Sequence, residues 1–283
     1  MPSRYCAQAD ECWSGALLEC VVNVSEGRRS DVIARVGAAA GPSLLDVHSD
    51  RHHHRSVLTL GGAEVEDAAR AVTACAVGEI DITHHDGAHP RMGVVDVVPF
   101  VPLHAPADVA DAVAARDRFA AWAGTELELP CFLYGPERSL PDVRREAFQR
   151  RQPDRGPPTP HPTAGATAVG ARGPLVAYNL WLVPPDLALA RSLAAELRSP
   201  AVRALGLEVG GHAQVSCNLI DPLDVGPAAV YDAVARRAEV DRAELVGLVP
   251  AAVLADVPVH RWGELDLHRE RTIEARLEQA RIG

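Results

Sequence analysis

With 283 residues, 47% of them hydrophobic, the chain has the material for one large domain or two smaller ones, and nothing in its composition reads as disordered. A formal charge of -10 at pH 7 excludes nucleic acid or an anionic membrane as its main partner, because either calls for a basic face; an anion site must be a local exception. Met1 to Ala16 carries Asp10 and Glu11 where a secretory leader needs apolar residues, no apolar stretch approaches a membrane span, and the six scattered cysteines form no C-x-x-C pair, so the expectation is a cytoplasmic protein with reduced thiols.

Beyond that N-terminal extension (1–16), Leu17 to Val22 reads as a strand, and Asn23-Val24-Ser25-Glu26-Gly27 turns the chain out of it. Ser30 is placed to cap a helix that Gly41-Pro42 stops. Two strands follow, Leu44 to His48 and Ser56 to Leu60, joined by a polar loop holding Asp50 and three histidines. Val65, Ala68, Val72, Cys75 and Ala76 mark one face of a helix ending near Gly78, and Val94 to Val101 returns as a strand. The order is β-α-β-β-α-β, the ferredoxin-like split unit. A third helix and a strand at Pro130 to Tyr134 complete a first subdomain over 17–152.

Five prolines between Pro153 and Pro162 read as a stiff extended segment, so a linker is expected over 153–165. The same element order then returns: strand Leu175 to Val183, helix Asp186 to Leu197, strands Leu205 to Val209 and Gln214 to Ile220, helix Val225 to Ala238, strand Leu245 to Val249. The expectation is an α/β (α+β) protein of two ferredoxin-like subdomains with a ligand crevice between them, the second over 166–255, and a charged helical tail over 256–283 that covers a surface.

Between the second helix and the fourth strand lies Thr83-His84-His85-Asp86-Gly87-Ala88-His89-Pro90-Arg91-Met92-Gly93. It sets three of the twelve histidines beside an Asp and an Arg, and Gly87, Pro90 and Gly93 leave little room for a continuous helix or strand. Shaped loops on a rigid scaffold are where reactive groups tend to sit, and histidine both takes and gives a proton near neutrality.

The residues then carry a resemblance. Leu18 to Gly27, Leu44-Leu45-Asp46-Val47, Arg55-Ser56-Val57, Ala88 to Gly93, Asp96 and Phe132 to Gly135 resemble the formiminotransferase domain of glutamate formimidoyltransferases. So do Asp154 to Pro157, Gly165 to Arg172, Ala177-Tyr178-Asn179 and Ala213 to Asp221, in the same order and over about 17–254. The resemblance implies a folate-dependent transferase that moves a formimino group from N-formimino-L-glutamate to N5 of tetrahydrofolate, its co-substrate. It also implies a homodimer, folate bound between the subdomains, and the histidine of the H-P-R-M-G block, here His89, as general acid/base. No cyclodeaminase domain is expected after it.

Two departures stand out. His48 occupies the place of an acidic residue thought to assist that histidine, with Asp50 two positions on, and His54 stands where the family has Asn before Arg55. His48 and Asp50 are therefore grouped with His89 as catalytic. The residues expected to contact substrate or folate are Asn23, Ser25, Arg55, His85, Arg91, Gly93, Arg172 and Asn179. Of these, Arg91 and Arg172 are the first choices for carboxylates, since arginine's planar fork suits them.

Formimino transfer between two amines needs one nitrogen to lose a proton and the other to gain one, so a single base that turns acid is an economical catalyst. Two rival readings differ in class. The clustered histidines invite a metal site, but no H-E-x-x-H or comparable motif is present and none is expected. The other is a formimino- or formyltransferase with a different amine donor or acceptor in a specialised pathway, or a folate-binding module without catalysis.

Overall fold

The computed structural model describes residues 17–86, 91–104 and 106–282. It divides the chain into two units, one ending at Arg172 and the other beginning at Gly173. The first opens with β1 (Leu17–Val24), α1 (Ser30–Ala38), β2 (Leu44–Asp50), β3 (Arg55–Gly62), α2 (Val65–Glu79) and β4 (Val95–His104). It continues with α3 (Val109–Glu126), β5 (Cys131–Tyr134), α4 (Leu140–Glu146) and β6 (Thr167–Ala171).

Its six strands are ordered β2-β3-β1-β4-β6-β5. The first four pair antiparallel in the ferredoxin-like arrangement; β6 and β5 add parallel strands beyond β4. Alternation along β1 sends Leu18, Cys20, Val22 and Val24 into the core under the helices and leaves Glu19, Val21 and Asn23 on the opposite face. The C-terminal end of β1, the β2–β3 turn and the start of β4 all meet at one end of this sheet, because Val24 lies opposite both Ser56 and Val95.

The proline-rich run is not a linker. Asp154 N–H donates to the Cys131 carbonyl at 2.9 Å, Cys131 N–H to Arg155 at 2.9 Å, Ile82 N–H to Thr163 at 2.8 Å and Val94 N–H to Ala164 at 2.8 Å. Proline removes donors but keeps its carbonyl, and neighbouring residues still pair, so a stiff segment can be built into a sheet margin. The boundary expected at 153–165 accordingly moves to 172/173. The basic stretch after Arg138 is likewise no bare cationic face: Ser139 caps α4, Arg138 pairs with Asp154 and Arg151 with Glu146.

The second unit holds β7 (Val176–Val183), α5 (Leu187–Leu197), β8 (Val202–Val209), β9 (His212–Leu219), α6 (Pro227–Ala235) and β10 (Glu239–Val246). Its sheet is ordered β10-β7-β9-β8, the ferredoxin-like order again. β10 starts six residues before the expected strand; it is an edge strand whose Glu239, Asp241 and Arg242 are exposed, so no apolar signal marks its first half.

The expected tail is a built part of this unit. After α7 (Ala251–Ala255), Leu265 and Leu267 are fully buried, and Ile273 and Leu277 of α8 (Ile273–Ile282) are buried too. The Tyr178 hydroxyl donates to the Leu265 carbonyl at 2.8 Å. Charge on one side of a short helix hid these few apolar anchors.

No described helix is long and apolar enough to cross a membrane. Cys20, Cys75, Cys131 and Cys217 are free thiols, and burial pushes Cys131 and Cys217 up to about 12, which leaves them protonated and inert.

Candidate functional site

Three segments converge at the β1-end of the first sheet: the β1–α1 loop, the β2–β3 turn, and the stretch leading into β4. Glu26, in the first of them, is 2% exposed. Its Oε1 accepts the backbone N–H groups of Arg28 at 2.8 Å and Arg29 at 2.9 Å, and its Oε2 takes Arg29 Nε at 2.5 Å. Burial alone raises its pKa, but the two amides and the Arg29 guanidinium outweigh that and hold the carboxyl at about 2. Glu26 thereby organises the entry to α1. Ser30, the expected cap, is the first helical residue instead, and the N-cap position is Arg29.

The β2–β3 turn is pinned by Asp50, whose Oδ1 accepts the amides of His52 and His53 at 2.7 Å each. His54 closes the turn at φ +50°, a left-handed conformation in which Asn, Asp and His are enriched. That explains how histidine can stand where the family has Asn. Its Nε2 lies 3.1 Å from Glu26 Oε1 and its Nδ1 3.4 Å from Asp86 Oδ1. Gly27 sits against this turn so closely that a Cβ would come within 2.2 Å of the Asp50 carbonyl oxygen, so glycine is required there.

The third segment is held on both flanks. His85 stacks on His54 with ring centroids 4.0 Å apart, and its Nε2 donates to the His54 carbonyl at 2.9 Å. Arg91 NH1 then meets His85 Nδ1 at 2.7 Å, crowds the Nε2 side of the ring, and NH2 donates to the His53 carbonyl at 3.3 Å. Burial lowers the His85 pKa and the Arg91 charge lowers it further, so this imidazole stays neutral. Arg28 links the first and third segments through Asp86 at 2.7 Å.

Behind Arg91, Asp96 is buried; it accepts Met92 N–H at 2.8 Å and pairs with Arg144 of α4. Burial lowers the Arg55 and Arg91 pKa values while the Asp96 charge opposes it, so three guanidinium groups share the surroundings of one carboxylate.

Of the residues expected from the sequence, His85, Arg91, Asp50, Ser25 and Gly93 are brought together here. Several of the expected residues also brace the backbone. The Ser25 hydroxyl donates to the Gly93 carbonyl at 2.8 Å and its N–H to Val94 at 2.7 Å. Gly93 lies against the 164–166 backbone, where a Cβ would be 2.2 Å from the Ala164 oxygen. Asn23 is a strand residue whose amide donates to the Val21 carbonyl at 3.3 Å.

His48 lies on β2 opposite Val57, on the face away from Val47. Val47, with Arg28, Ile33, Gly37 and Arg51, lines a cavity of about 320 Å³ between α1 and β2. Arg172 follows β6 and donates its N–H to the Phe100 carbonyl at 3.2 Å, toward the opposite end of the sheet, where burial pushes the Tyr134 hydroxyl up to about 12 and the Arg172 charge only partly offsets it. Asn179 belongs to the second unit, where its amide donates to Glu244 Oε2 at 3.1 Å. His89 falls within 87–90, outside the described residues.

Glu26, Asp86 and Arg144 were not among the residues expected at the site, and His54 stood only as a departure from the family pattern in the loop expected to face the substrate. An acid placed just before a helix start was the available signal for Glu26; Arg144 had none, because only the fold brings α4 behind Asp96. Among the described residues, no group of three or more His, Cys, Asp or Glu side chains could hold a metal ion.

Comparison with known proteins places this geometry. Residues 17–172 match the family model of the formiminotransferase domain, N-terminal subdomain, which ends at the same residue as the first unit. The chain is 36% identical to the glutamate formimidoyltransferase of Streptococcus pyogenes, over 90% of this chain and 96% of that one. It is 32% identical to the enzyme of the same name from Thermoplasma acidophilum, over 94% and 98%. It is also 36% identical to the chicken (Gallus gallus) formimidoyltransferase-cyclodeaminase, over 85% of this chain but about half (51%) of that longer protein.

Proposed function

This chain belongs to the formiminotransferase family, and from that premise we propose that it transfers a formimino group from N-formimino-L-glutamate to N5 of tetrahydrofolate, with His89 as general acid/base. The observation that carries the reading is the similarity to two glutamate formimidoyltransferases over at least nine-tenths of this chain and of each of them, together with the anchoring of both flanks of the H-P-R-M-G block. Ser25 and Asp96 tie down its C-terminal side and the His54 carbonyl holds His85 on the other.

In this reading the attacking N5 loses a proton to His89 as the tetrahedral carbon forms, and the same group returns it to the departing glutamate nitrogen. His85 keeps its ring neutral and orients Arg91. Arg91 and Arg55 supply positive charge, in an otherwise acidic protein, for the carboxylates of the substrates. Asp50, engaged with two amides, shapes the loop between β2 and β3.

The test is to incubate the purified protein with tetrahydrofolate and N-formimino-L-glutamate and follow 5-formiminotetrahydrofolate. Turnover is expected, and His89→Ala lowers it roughly 10²- to 10⁴-fold without loss of fold. No product from this donor, with tetrahydrofolate still bound, sinks the choice of donor; a folded His89→Ala variant with normal turnover sinks the catalytic assignment.

A further inference from the structure

The cavity between α1 and β2 takes no part in the chemistry above. Its floor is apolar: Ile33, Ala34, Gly37 and Ala38 come from α1, and Leu44 and Val47 from β2. With Ser30, the α1 residues recur at three- and four-residue spacing, so they form one stripe along the helix, about 12 Å long at a rise of 1.5 Å per residue. Val32 and Val36 enter the core instead. On β2, a register shift between Leu44 and Asp46 lets Leu44 share the side on which Val47, Ser49 and Arg51 alternate.

One end of this groove is cationic. Arg28 and Arg51 line it, and no Asp or Glu lines the groove anywhere, in a chain of net charge -10. Arg28 is engaged, its NH1 with Asp86 at 2.7 Å and its Nε with the Arg51 carbonyl at 3.1 Å. Arg51 is exposed; it donates to the Arg28 carbonyl at 3.5 Å and has no carboxylate partner among the described residues. The other end is kept open by Gly37. A Cβ there would rest 3.4 Å from Leu44 Cδ2 and 3.6 Å from Val47 Cγ2, so alanine would fit and would favour the helix.

We propose that this groove binds a small aliphatic monocarboxylate, with the alkyl chain laid along α1 and the carboxylate on the Arg51 guanidinium. Arginine's planar fork suits a carboxylate, and an anion here meets no acidic lining. The apolar floor takes up methylenes, each of which gains by leaving water. A volume of about 320 Å³ suits a small molecule. Occupancy reaches the candidate site through Arg28: a carboxylate at this end competes with Asp86 for its guanidinium, and Asp86 lies 3.4 Å from His54, on which His85 stacks. The assignment is independent of the transfer reaction and of folate.

The test is calorimetry of the full chain with the straight-chain acids from butanoate to octanoate, and with octylamine as the cationic control. Octanoate is expected to bind, each added methylene tightening the series about fourfold, and octylamine is not. Arg51→Gln should weaken octanoate ~10- to 100-fold, the loss of a charge-assisted contact. Ala34→Leu, at an exposed position whose new side chain occupies the groove, should abolish binding. Both variants should melt at the wild-type temperature. By NMR, octanoate should move the Ile33 and Val47 methyl signals of the wild type together with the His85 ring signals. Affinity that ignores chain length, equal binding of octylamine, or an Arg51→Gln variant that binds like wild type overturns the proposal. His85 signals that stay still remove the link to the candidate site. If Ala34→Leu instead changes the oligomeric state in sedimentation, the groove is a face between copies of this chain and the carboxylate assignment falls.

Discussion

In the first unit the polar side chains gather at one end of the sheet, in the loops after β1, between β2 and β3, and before β4; in the second they lie on the sheet face itself, on β7, β9 and β10. Both units share the ferredoxin-like strand order. A loop offers unpaired backbone groups, so Glu26, Asp50 and Arg91 are held largely by amides and carbonyls. A sheet has used its backbone groups in the ladder. Asn179, Trp181 and Glu244 must therefore satisfy one another, and Gln214 is left over. Topology alone does not say where chemistry goes; the supply of backbone partners does.

Removing charge at the hub of each cluster should break this parallel. Glu26→Gln strips a buried carboxylate from its arginine and amide donors, and should cost the first unit ~3–5 kcal/mol in denaturant unfolding. Glu244→Gln, which can still accept from Asn179 and Trp181, should cost the second only ~1–2 kcal/mol. Equal costs would remove the contrast.

Acid should act unequally as well. Glu26 titrates at about 2 when folded against an ordinary 4.5, so its contribution is present above pH 4.5 and is lost as pH falls through about 2. The slope amounts to ~3 kcal/mol over that window, measurable by urea unfolding at successive pH values, and Glu26→Gln should abolish it.

Steric tests are smaller. Gly27→Ala should cost ~1–3 kcal/mol as the turn is pushed off Glu26, seen as a lower melting temperature, since a Cβ there meets the Asp50 carbonyl at 2.2 Å. Arg91→Lys keeps the charge but cannot serve His85 and the His53 carbonyl together. It should lower kcat/KM about tenfold with unchanged stability.

The mildest test is titration of His85 by NMR, with a midpoint expected below 6.5. A histidine depressed on folding stabilises fully above pH 6.5 and loses that contribution as pH falls through its folded value. A midpoint at or above 6.5 would mean that burial and the Arg91 charge do not together hold the ring neutral.

Much of the framework was legible from residue order. The β-α-β-β-α-β pattern was readable twice because buried strands and amphipathic helices leave period-two and helical apolar signals. Gly165 and Gly170 are positions of close approach, since a Cβ there would meet the Met92 carbonyl oxygen and the Tyr134 ring. The 153–165 segment was misjudged because proline content reports stiffness, whereas Thr163 and Ala164 brace the stretch entering β4 through their carbonyls. The first half of β10 was missed because its Glu239, Asp241 and Arg242 are exposed, and the C-terminal segment was read as a helical tail without the buried Leu265, Leu267, Ile273 and Leu277 that build it into the unit.

The amino-acid sequence by itself determined the element order, the duplication of the fold and the His-rich segment before β4, since these depend on local periodicity and on the identity of short blocks. Only the tertiary structure decided that Ser25 and Asp50 hydrogen-bond the backbone around them, that Glu26 and His54 join two loops, and that Gln214 has no hydrogen-bond partner among the described residues. A hydrogen bond between residues far apart in the chain has no local signature. It exists only where packing brings donor and acceptor within about 3 Å, and that distance is a property of the whole fold.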